Sequence, residues 1–80
     1  MRDRPAVYQV AVHRDNARTF HPESTLIGAL RYAVRQCPGA QYVAIERWSD
    51  VANMCAGGWV VADVLRDVDN YADGALRTAA

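Results

Sequence analysis

Apolar positions along this chain follow two rhythms. In "PAVYQVAVHR" (5–14) the alternation is strict, with Tyr8, Val10 and Val12 on one side of an extended chain and Gln9, Ala11 and His13 on the other. A period of two, filled with β-branched residues, predicts a half-buried strand. Asp15 and Asn16 supply turn chemistry, and "RTF" (18–20) predicts a short return strand, so the chain opens with a hairpin. Over "HPESTLIGALRYAVRQCPG" (21–39) the rhythm changes. Leu26, Ile27, Leu30, Ala33, Val34 and Cys37 recur at helical spacing, which predicts an amphipathic helix with Arg31 and Arg35 on its solvent side. Pro22 suits a first turn, Ser24 or His21 a cap, and Glu23 the positive end of the helix dipole. Pro38-Gly39 stops it.

Alternation returns in "QYVAIERW" (41–48), where Val43 and Ile45 face one way and Tyr42, Glu46 and Trp48 the other. "SD" then turns, and "VANMC" (51–55) suits either a short strand or a helical turn; the return strand of a second hairpin is the expectation. Gly57-Gly58 interrupts the chain. From Val60 onward, Val60, Val61, Val64, Leu65, Val68, Tyr71, Ala72 and Ala75 fall within one arc of about 140° at about 100° per residue. Asp63, Arg66, Asp67, Asn70 and Asp73 occupy the opposite arc, and Asp69 sits at its border. This predicts a C-terminal helix ended by Gly74. The expected fold is a single α+β domain over residues 1–80: a small antiparallel-rich sheet in the order β-(β)-α-β-β-α, with two helices on one face.

Size and composition limit what such a domain does. With 80 residues, 51% of them apolar, it forms a packed globule and not a disordered segment. A chain this short buries only about 60–65% of the surface it exposes when unfolded. No apolar run reaches the roughly 18–20 residues that span a bilayer, and "MRDRPAVYQV" lacks the apolar core of a secretion signal. A cytoplasmic protein without membrane contact is expected. Cys37 and Cys55 are not spaced as a CxxC pair and have no neighbouring histidine, so two reduced thiols are expected and no zinc site. A disulfide after oxidation is the alternative.

Charge is balanced overall but unevenly placed. In residues 1–40 six arginines stand against Asp3, Asp15 and Glu23, a balance of +3; in residues 41–80 three arginines stand against six acids, a balance of −3. There is no lysine, as a GC-rich coding genome would produce. A dipolar domain can still steer toward a charged partner.

The most chemical-looking stretch is "DVLRDVDNYADG" (63–74). A calcium loop needs oxygen ligands at positions 1, 3 and 5 and glycine at 6. Starting at Asp67, Tyr71 falls at position 5 and Ala72 at 6, so the calcium reading fails. On a helix, Asp63, Asp67, Asp69 and Asp73 form a carboxylate stripe able to mimic a phosphate backbone or meet an arginine-rich protein; an ordinary solvated face is the alternative. Tyr42, Glu46 and Trp48, with His13, form the second candidate, on the sheet face that the helices leave open. Aromatics there suit a stacking platform for single strands, but the chain is not basic and has no RNP signature, so a protein contact or a homodimer seam fits better, with Trp48 simply packed against an edge or loop as the alternative. His13 and His21 lack the spacing of a metal pair, Gly57-Gly58 lacks the Lys-Ser/Thr of a phosphate loop, and no nucleophile stands beside a base. A non-enzymatic binding protein with no cofactor, metal or catalytic residue is the expectation.

In size, arginine-only composition and hairpin–helix–hairpin–helix layout with an acidic last helix, the whole chain resembles the small phage-encoded anti-CRISPR proteins, in particular inhibitors of type I effector complexes. That resemblance implies blocking of target-DNA recognition through contact with an effector subunit, in the host cytoplasm. The stretch "YQVAVHRDNARTF…STLIGALRYA" is also similar to the hairpin-then-helix opening of HicB-type antitoxins, which implies a small RNase toxin as partner.

Overall fold

The computed structural model describes residues 7–68. Strand β1 (Tyr8–Arg14) turns back through Asp15 and Asn16 into β2 (Ala17–Glu23), with Arg14 opposite Ala17 and Tyr8 opposite Glu23. Asp15 and Asn16 both have positive φ, 54° and 65°. That is the two-residue turn whose twist matches a right-handed hairpin, and Asp and Asn tolerate its left-handed backbone. The return strand is longer than "RTF" and runs through His21, Pro22 and Glu23, residues expected at the start of a helix. Helix α1 begins later, at Leu26–Gln36, and is capped by neither His21 nor Ser24. The Thr25 hydroxyl accepts from the Gly28 amide at 3.0 Å instead.

Strand β3 (Tyr42–Ser49) pairs antiparallel with β1, and β4 (Gly58–Asp67) pairs antiparallel with β3. The four-stranded sheet runs in the order β2-β1-β3-β4. The α+β architecture is thus as expected, but two segments exchange roles. "VANMC" is not a strand: Ala52–Cys55 forms a four-residue helical segment, α2, in which Asn53, Met54 and Cys55 all have positive φ. The segment from Val60 to Asp67 is not a helix but the second strand of the hairpin. Two register shifts explain the misleading pattern. Ala62 and Leu65 are extra residues in the pairing with β3, so Trp59, Val61, Val64 and Asp67 share one face while Gly58, Val60, Asp63 and Arg66 share the other. Bulges thus stretch the period of two to a spacing of three, which imitates a helix.

Beneath α1 lie Val10, Val12, Val43 and Ile45, with Ala29 and Ala33 of the helix and Ala40 closing the cluster. Val10, Val43 and Ile45 are the largest fully buried side chains, each worth about 1.5–3 kcal/mol on burial. The helix meets the sheet through its alanines and not its larger residues. Leu26, Ile27, Leu30 and Val34, expected inside, are exposed, while Ala33 is buried and Cys37 half-buried. Small side chains let the helix approach closely, and Tyr32, stacked on His21 at 3.7 Å and 8°, fixes its rotation. Arg14 locks the helix end by donating to Gln36 O at 2.5 Å and Pro38 O at 3.3 Å, which satisfies terminal carbonyls. Both cysteines are free thiols. Among the described residues, no helix is long and apolar enough to cross a membrane.

Candidate interaction surface

One helix covers one face of the sheet. The pairing registers order the opposite face into rows across the strands. Arg18, His13, Tyr42 and Asp67 form the first row; Phe20, Ala11, Ala44 and Val64 the second; Pro22, Gln9, Glu46 and Val61 the third. At the far end Trp48 stands opposite Trp59, beside Val7. The central row is apolar from edge to edge. Ala11 and Ala44 are buried at its middle, while Phe20, Val64 and the neighbouring Val61 remain 49%, 45% and 54% exposed. Tyr42, in the neighbouring row, is buried with these two alanines. Covering the exposed part of Phe20, Val61 or Val64 would stabilise by about 1 kcal/mol.

The polar groups on this face are arranged in pairs. Gln9 Nε2 donates to Glu46 Oε1 at 2.6 Å. The His13 and Tyr42 rings meet edge-on, with centroids 5.1 Å apart. Partial burial, and then the nearby Arg18 guanidinium, hold the His13 imidazole below its ordinary pKa, with Glu46 opposing them. Burial, and then the Glu46 and Asp67 charges, push the Tyr42 phenol above its ordinary value. Trp48 donates from Nε1 to Asp50 at 2.8 Å and lies edge-on to Trp59, with ring centroids 5.3 Å apart. Its ring also lies over Gly57, whose φ of +91° carries the chain into β4.

Tyr42, Glu46 and Trp48 therefore share the face opposite α1 with His13, as the alternation in β3 predicts, and Tyr42 is buried there with Ala11 and Ala44. Asp63 and Asp67 lie on a strand and do not share one helical face. Asp67 joins Tyr42 on the open face, whereas Asp63 pairs with Ile45 and belongs to the helix-covered side. Asp69 and Asp73 lie outside the described residues. Gly57-Gly58 precedes a strand, so no helix N-terminus stands over it as an anion site. Among the described residues, no group of three or more His, Cys, Asp and Glu side chains is placed to hold a metal ion.

Sequence reasoning missed Phe20, Val61, Val64 and Trp59. Phe20 was accessible to it: a two-residue turn at Asp15-Asn16 sets the hairpin register, which places Phe20 across from Ala11. The β4 residues were not, because the bulges that set their facing leave no local signature. No protein-family model matches this chain, and comparison with curated proteins and with solved structures gives no match.

Proposed function

We propose that this protein is a non-enzymatic binding protein whose contact surface lies on the face of its sheet opposite α1. One observation carries the reading: Phe20, Val61 and Val64 stand half exposed on a four-stranded face that places Trp48 and Trp59 at one end. Small domains gain from covering such a patch, and aromatic anchors beside it are what protein interfaces use. Charge argues for a protein and against nucleic acid. Among the described residues of these rows Arg18 is the one arginine, against Glu46 and Asp67, so they form no basic track for phosphates.

At the finer level, the partner class is the one implied by the anti-CRISPR resemblance: a subunit of a type I effector complex, bound so that target DNA is not recognised. The hairpin–helix–hairpin layout supports this reading; the acidic last helix no longer does for residues 60–67. The test is target-duplex binding by a purified guide-loaded type I effector, with the protein added in stoichiometric excess. Loss of duplex binding, restored when Phe20→Arg replaces the wild type, is expected. An effector unaffected by the wild type overturns this choice of partner. Equal inhibition by wild type and Phe20→Arg overturns the choice of surface.

A further inference from the structure

We propose that the exposed flank of α1 is the docking site for this chain's own residues 69–80, which cover it over β4. The inference is independent of the reading above, because it concerns the other face of the sheet. It starts from the way α1 sits. The helix lies over β1 and β3 through Ala29 and Ala33. Tyr32 stacks on His21 of β2, and a Cβ on Gly28 would meet the Glu23 carboxylate, so that flank of the helix faces the β2 edge. At about 100° per residue the opposite flank carries Leu26, Leu30 and Val34, which overlook β4. These three are 50%, 42% and 56% exposed. Below them Leu65 of β4 is packed against the core cluster and Val60 is half-buried, so wall and floor are both apolar. Strands lie about 4.8 Å apart and packed helices about 8–10 Å, so the next helix position beside α1 falls over β4.

The chain itself supplies an occupant. Val68 donates from its amide to Gln41 O at 2.8 Å, and Ala40 to Cys37 O at 3.1 Å, so Val68 stands beside the C-terminal end of α1. The sequence that follows it reads "DNYADGALRTAA". A return over β4 from that point runs antiparallel to α1. Val68, Tyr71, Ala72, Ala75, Leu76 and Ala79 recur at spacings of three and four residues, the pattern that presents an apolar stripe to a helix. Gly74 falls outside that arc, where it loses no contact. Twelve residues at about 1.5 Å each would span about 18 Å, against about 16 Å for the eleven of α1.

Charge selects this occupant over others. Arg31 and Arg35 border the exposed stripe on its solvent side, and among the described residues neither has an ion-pair partner. Asp69 and Asp73 border the apolar arc of the segment. In the antiparallel direction they fall in turn on the side of Arg35 and Arg31. The α1 of a second copy would bring no acid, since Leu26–Gln36 contains none, and residues 1–6 carry Arg2 and Arg4 against Asp3.

Isotope-edited nuclear Overhauser spectroscopy of the full chain tests the proposal. Contacts from the Tyr71 ring and the Leu76 methyls to the methyls of Leu30 and Val34 are expected, and their absence overturns it. A mixture of labelled and unlabelled chains separates the occupants: the same contacts made between copies overturn docking within the chain. Urea unfolding gives a second measurement. Leu76→Ser should lower the folding constant about tenfold in the wild-type chain, and less than about threefold in a Leu30→Ser background, where its contact is already lost. Equal losses in the two backgrounds, or none in the wild-type chain, overturn the docking.

Discussion

Gly57→Ala is the most informative single change, because it tests the turn and the tryptophan at the edge of the proposed surface together. Gly57 has φ +91°, and a Cβ built on it would lie 2.6 Å from Trp48 Cζ2. Carbon atoms in contact prefer about 3.5–4.0 Å, so the ring must move or the turn must open. An alanine in the left-handed region costs about 1–2 kcal/mol. Overpacking against the ring adds about 1–3 kcal/mol, and the stiffer unfolded chain returns about 0.4–1 kcal/mol. A net loss of about 2–4 kcal/mol is expected, a large share of the about 4–12 kcal/mol that a domain of this size holds. Urea unfolding followed by far-ultraviolet circular dichroism measures it, with near-ultraviolet dichroism reporting loss of the edge-on Trp48–Trp59 pair. The same change in a Trp48→Leu background, where the ring is absent, should cost only about 0.5–1.5 kcal/mol, the backbone cost less the unfolded-chain gain. Equal costs in the two backgrounds would refute contact between the ring and the turn; a cost near zero in both would refute the left-handed turn itself.

Met54→Gly should do the reverse. Met54 is 97% exposed at φ 59°, so glycine removes left-handed strain without losing burial, and stability should rise by about 0.5–1 kcal/mol in the same urea titration. Thr25→Ala should lower stability by about 1 kcal/mol, while Thr25→Ser, which keeps the cap to Gly28, should cost little. Ala33→Leu should cost about 1–3 kcal/mol by lifting the helix off Val10 and Val43. His13 makes stability pH-dependent. Its folded pKa lies below its ordinary value of 6.5, so the unfolded chain takes up the proton first. The contribution is therefore intact above pH 6.5 and is lost progressively as pH falls from there toward the lower folded value. His13→Gln should flatten that part of the stability profile, and an unchanged slope would show that another group controls it.

Much of this molecule was legible in the order of its residues. Strict alternation in β1 and β3 specified both strands and their inward sides, because a residue's side of a strand follows from its parity alone. Asp15-Asn16 specified a hairpin turn, since few residue pairs accept two successive left-handed conformations. That Tyr42, Glu46 and Trp48 share the face opposite α1 was legible for the same reason of parity, whereas the burial of Tyr42 was not. Other features depended on contacts that no short window of sequence contains. The bulges at Ala62 and Leu65 exist only in the pairing of β4 with β3, and without that pairing Val60 to Asp67 has a helix-like spacing. The side of α1 that is buried was decided by how closely the sheet could be approached, which favoured Ala29 and Ala33 over the leucines and the valine. That Asp67 joins the open face, while Asp63 leaves it, followed from the same bulges. Local periodicity therefore determined which way residues alternate; strand pairing and steric approach decided which alternating surface α1 covers, and the opposite face is where binding is proposed.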